Sequence, residues 1–93
     1  MSEELKKYKE IYKKYYETNE CNLLNLMIIN EIECQLEEEI SEEDYNKLFY
    51  KIRNSYLKTD GVDLWCLTYV CINNVDKLDD MSCYEIIDKS NML

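Results

Sequence analysis

The chain contains no proline and a single glycine, Gly61, and this scarcity constrains its fold more than any other feature. Sheets with many tight turns draw on residues that tolerate positive φ or fix φ near −65°. A chain of 93 residues with one of them is poorly equipped for such turns. Helices joined by short polar connections need neither. The sequence is therefore read as all-α, a small bundle of four longer helices plus a short C-terminal helix, with residues 1–93 forming one acidic domain. The apolar fraction of 46% is that of a folded protein rather than of a disordered acidic tail.

Apolar spacing supplies the elements. Ser2, followed by Glu3 and Glu4, opens a first helix with a capping hydroxyl and acids in the first turn. Leu5, Tyr8, Tyr12 and Tyr15 form its stripe, widened by Ile11 and Tyr16. Residues 18–20 break it. A second helix is predicted over residues 21–38, where Leu24, Ile28, Ile32 and Leu36 recur every fourth position. Leu23, Leu26 and Met27 carry apolar character to its other sides. This helix is thus either central or, with Tyr15 and Tyr16, the contact of a homo-oligomer.

The next junction has a local signature. Ser41 is placed to cap, Asp44 sits at the reciprocal position, and Ile40 and Tyr45 are spaced as a hydrophobic staple. The third helix carries Tyr45, Leu48, Phe49, Ile52 and Tyr56 on one face and should stop near Thr59, with Gly61 in the left-handed position. Residues 64–72, LWCLTYVCI, read either as a buried strand or as a helix. Helix is preferred: Asp63 can cap it, no partner strand exists, and Leu64, Leu67, Cys71, Val75 and Leu78 keep a helical period. A short last helix follows Ser82, which pairs with Glu85 in a capping box while Met81 and Ile86 form a second staple.

Most catalytic chemistry lacks its residues. There is no histidine, the usual general acid or base near neutrality. One glycine cannot build a P-loop, a nucleophile elbow or a dinucleotide fingerprint. Asp76, Asp79, Asp80, Glu85 and Asp88 do not alternate around a glycine as a calcium loop requires. The five cysteines, Cys21, Cys34, Cys66, Cys71 and Cys83, contain no CxxC pair and suit no zinc site. Four of them fall in apolar helical stretches and read as small core residues in a reducing compartment. Neither enzyme, cofactor nor metal is expected. The N-terminus is charged, and the longest apolar run, 23–29, is broken by Asn25 and too short for a bilayer. A cytoplasmic, membrane-free protein is the expectation.

Charge carries the positive signal. Twenty acids against eleven bases give a net charge of −9. Eight of the acids crowd into residues 31–44, which hold no lysine or arginine: Glu31, Glu33, Glu37, Glu38, Glu39, Glu42, Glu43 and Asp44. Carboxylates at this density repel one another, and a positive partner surface would relieve that cost. The simpler alternative is a solvated face, with Glu42, Glu43 and Asp44 favouring a helix N-terminus. That alternative leaves Glu37, Glu38 and Glu39 unexplained, since they would crowd a helix C-terminus where the macrodipole disfavours anions. Nine tyrosines exceed the needs of so small a core. Tyr50 falls off its helix's apolar stripe and is a candidate contact.

Other surfaces count for less. Basic and aromatic residues interleave in KKYKEIYKKYYE near the N-terminus, a pattern compatible with single-stranded nucleic acid, but the rest of the chain repels polyanions, and pairing with the acidic corner, within one chain or across a dimer, is the better use of these lysines. A helix–turn–helix over 44–78 fails because its recognition helix carries one lysine and no arginine.

The expected function is a non-enzymatic inhibitor that uses the acidic corner and Tyr50 to block a basic, nucleic-acid-binding surface of a partner enzyme or complex. It would not bind nucleic acid itself. In general character this small, acidic, histidine-free chain resembles the proteins with which phages and mobile elements disarm host defence, such as anti-CRISPR and anti-restriction inhibitors. The likeness rests on no particular motif. The alternative is a structural or regulatory homo-oligomer built through Leu23, Leu26, Met27, Tyr15 and Tyr16.

Overall fold

The computed structural model describes Glu10 and residues 23–93. The expected first helix and its Tyr15 and Tyr16, together with Cys21, lie outside these residues. The described chain is all-helical. Helix α1 spans Leu23–Gln35, α2 Glu42–Leu57 and α3 Leu64–Asn73; a 3-10 helix over Val75–Asp80 leads to α4, Cys83–Asn91. Helix α3 packs against each of the other described elements, and α2 additionally packs on α1, the 3-10 segment and α4.

The core follows the sequence stripes. Ile28, Ile29 and Ile32 of α1 meet Tyr45, Leu48, Phe49 and Ile52 of α2 and Leu64, Leu67, Val70 and Cys71 of α3, closed below by Leu78, Met81 and Ile86. Residues 64–72 are helical, and the caps explain why that helix needs support from packing. Asp63 occupies the cap position, but its side chain makes no capping bond. Five buried residues of α3, Leu64, Leu67, Thr68, Val70 and Cys71, supply the stabilisation instead. The buried hydroxyls of Thr68 and Ser90 donate to the carbonyls of Leu64 and Ile86, at 2.9 and 2.7 Å. Neither polar group is therefore stranded in the core.

Several expected boundaries move. Helix α1 stops at Gln35 rather than at residue 38, so Glu37, Glu38 and Glu39 lie beyond its C-terminus in an irregular connection. Three consecutive anions there would oppose the helix dipole, and leaving the helix separates them from its carbonyls. Leu36 and Ile40, packed against the core, pin the two ends of that connection. Ser41 caps α2 by accepting from the Asp44 N–H at 3.1 Å. The return bond expected from the shorter Asp44 carboxylate is not formed, whereas Ser82 and Glu85 complete both halves of their box.

Helix α2 ends at Leu57, with the Lys58 N–H donating to the Ser55 carbonyl at 3.1 Å and the Thr59 N–H to the Tyr56 carbonyl at 3.3 Å. Gly61 is not left-handed, as no described residue has positive φ. A right-handed 3-10-type closure has replaced the glycine cap. The fourth stripe also breaks earlier than its period implies, because α3 stops at Asn73. The Asn74 N–H turns to the Cys71 carbonyl at 3.2 Å. Its side-chain amide then donates to the Val70 carbonyl at 2.8 Å, replacing the lost backbone donor. Leu78 still reaches the core, from the 3-10 segment.

The cysteines are less buried than their apolar neighbours imply. Among the four described, only Cys71 is buried; Cys66 and Cys83 are half-buried and Cys34 is exposed. Burial pushes the Cys71 thiol from 9.0 up to about 12, with nearby Lys51 pulling the other way and Cys83 adding to the rise. Between these values the unfolded chain loses a proton that the folded chain keeps, so stability falls as pH rises, by about 1.4 kcal/mol per pH unit. Denaturant unfolding from pH 9 to 12 should show this decline, and Cys71→Ala should make it shallower. An unchanged slope in the variant would refute the assignment to Cys71.

Candidate acidic and aromatic binding surface

The predicted acidic residues do not form one patch. Glu31 is half-buried on α1, where its carboxylate accepts from the Gln35 amide at 3.5 Å. The same Gln35 amide donates to the Trp65 carbonyl at 3.1 Å, so Glu31 faces the seam between α1 and α3. Glu33, two positions on, falls on a different side of the helix. It too is half-buried, with one carboxylate oxygen shut off from solvent.

The remaining six acids fall within eight residues, 37–44, along the connection and the start of α2. Glu37, Glu38 and Glu39 are exposed in the connection, and Glu42 and Glu43 are exposed in the first turn of α2, beside half-buried Asp44. Lys47 stands one turn along α2, 3.8 Å from Glu43 and 3.0 Å from Asp79. Its hydrogen bond to Asp79, with the charges of Asp79, Glu43 and Asp44, holds the ammonium above its usual value. Lys51 donates to the Met81 carbonyl at 2.6 Å, and the Arg53 guanidinium donates to the Asn25 side-chain carbonyl at 3.0 Å. Three bases of α2 are thereby engaged within the molecule. Among the described residues no ion pair reaches Glu37, Glu38, Glu39 or Glu42.

Tyr50 is half-exposed, at 52%, and shares a helix face with Glu43 about 10 Å further along the axis. Its ring meets Phe49 edge-on, with centroids 5.2 Å apart. Leu23 and Met27, at 57% and 41%, are exposed on α1, while Leu26 is half-buried.

Two aromatic residues not singled out as contacts complete the surface. Trp65 and Tyr69, both half-exposed, stack on the outside of α3 with centroids 5.3 Å apart and planes 15° from parallel. Their spacing of four and their place off the Leu64, Leu67, Cys71 row carried the signal, which the apolar richness of 64–72 obscured. Beside them an open groove of about 340 Å³ runs between the connection and the C-terminal half of α3. Leu36, Ile40, Ile72 and Val75 line its base, with Glu37, Glu38, Tyr69 and Asn73 above.

The described residues hold no cluster suited to a metal ion, and no described helix is long and apolar enough to cross a membrane. The chain matches no family model, no curated protein and no solved structure.

Proposed function

We propose that this chain is a non-enzymatic, cytoplasmic binding protein that occupies a basic surface of a partner and blocks nucleic acid from it, in the manner of phage anti-defence inhibitors. The observation that carries this reading is the set of exposed carboxylates at Glu37, Glu38, Glu39 and Glu42, which have no ion partner among the described residues. Exposed acids at this density on an ordered corner resemble the spacing of phosphates, which Arg and Lys grooves are built to hold. Glu43, Asp44 and Tyr50 extend the same surface along α2. Glu31 and Glu33 contribute field rather than contact.

Affinity capture on the immobilised chain tests this. A nucleic-acid-binding protein should be retained at about 50 mM salt and released by about 200 mM, as expected for charge-driven contacts. Added chain should also displace that protein's nucleic acid. Retention indifferent to salt, or a captured protein that keeps its nucleic acid, overturns the reading.

The homo-oligomer is the second reading, favoured by the exposure of Leu23 and Met27 on α1. Retention of nothing but further copies of the chain supports it.

A further inference from the structure

We propose that the groove between the 36–40 connection and α3 receives an arginine side chain of the basic protein partner, with Tyr69 as its stacking wall and Glu37 and Glu38 as its carboxylates. This deepens the reading above and rests on it, since it names how one residue of the partner is held.

The size of the groove comes first. About 340 Å³ lies at the low end of the range for small-molecule pockets, and the groove is half open to solvent. It suits one inserted side chain better than a whole metabolite. The lining then selects the type of side chain. Leu36 and Ile72 offer an apolar floor for an aliphatic stem, while Glu37 and Glu38 stand exposed at the edge. An apolar floor under a negative rim fits a residue with a hydrocarbon stem and a cationic head.

Tyr69 discriminates between the two candidate cations. Trp65 covers one face of its ring and does not line the groove, whereas Tyr69 does, which leaves the ring's other face free of Trp65. A guanidinium is planar and weakly hydrated; it can lie on an aromatic face and still give two parallel hydrogen bonds to a carboxylate. A lysine ammonium is a strongly hydrated point charge that forfeits the paired geometry. Charge alone would attract both; the stacked wall favours arginine.

Trp65 is the only tryptophan of the chain and stacks directly behind that wall, so its fluorescence reports on occupancy. The full chain is titrated with tetra-arginine, tetralysine and tetracitrulline peptides. The expected result is a saturable change in Trp65 emission with tetra-arginine, binding about tenfold weaker for tetralysine, and none for the uncharged citrulline peptide. Tyr69→Leu should erase the preference for arginine, and Tyr69→Phe should restore it. Tyr69 is half-exposed, so circular dichroism should confirm that both variants fold.

Equal binding of the arginine and lysine peptides, indifferent to Tyr69→Leu but weakened by salt, overturns the groove while leaving the acidic surface in place. Failure of both cationic peptides to bind at low salt overturns the groove and the proposed function together.

Discussion

Replacing Glu38 and Glu39 together by lysine is expected to weaken binding to a basic partner about a hundredfold while the helical circular dichroism stays unchanged. The two substitutions move the net charge of −9 four units towards zero at the point where the partner sits. Exposed charge pairs contribute at most about 1 kcal/mol each. Four units of changed charge therefore compound to roughly a hundredfold, at about 1.4 kcal/mol per factor of ten. Neither residue lies within a helix or forms an ion pair among the described residues, so the fold loses nothing. Removing self-repulsion should if anything help it. Calorimetric titration of the double variant at two salt concentrations measures the effect, which should shrink as the Debye length contracts. Affinity equal to that of the unaltered chain would leave these glutamates as a solvated face.

Phe49→Ala should destabilise the fold by about 3–5 kcal/mol, since the ring is fully buried and its removal leaves a cavity as well as lost transfer energy. For a domain of this size that lowers the thermal midpoint by roughly 20 °C. Tyr50, the next residue, is half-exposed, and Tyr50→Ala should cost less than about 1 kcal/mol. The contrast between adjacent aromatic residues tests the orientation of α2 directly. Similar melting points for the two variants would show that the helix does not bury the face assigned to it.

Helix α2 is the element most fully legible in the sequence, because it is amphipathic: Tyr45, Leu48, Phe49 and Ile52 repeat at the helical period and are buried together. Its start was equally legible, since Ser41 at a cap is a local interaction between residues three apart. The Ser82 and Glu85 box before α4 was readable for the same reason. Helix α3 was not so plain. An element that touches all its described neighbours has no polar side to reveal a period, and so residues 64–72 read as either helix or strand. Where local chemistry competes with alternatives outside it, the boundaries shifted. Asn73 and Asn74 bond the carbonyls of Tyr69 and Val70, and α3 stops there although apolar spacing continues to Leu78. Gly61 could have adopted a left-handed cap, but the closing bonds of Lys58 and Thr59 left nothing for it to do.

Spacing along the chain was enough to show that it is helical outside residues 64–72, which stripes of α1 and α2 face inward, and that acids accumulate around residues 31–44. Each of these depends on residues within one or two helical turns of each other. Which acids are exposed together depends on packing. Packing turned Glu31 towards α3, left Glu37 to Glu39 in open connection, and engaged three bases of α2 inside the molecule. It also made the groove, whose walls come from segments about thirty residues apart and are held by the Gln35 bond to the Trp65 carbonyl. Contacts at that separation leave no periodic trace in a sequence, because they depend on how one helix lies across another rather than on the spacing within either.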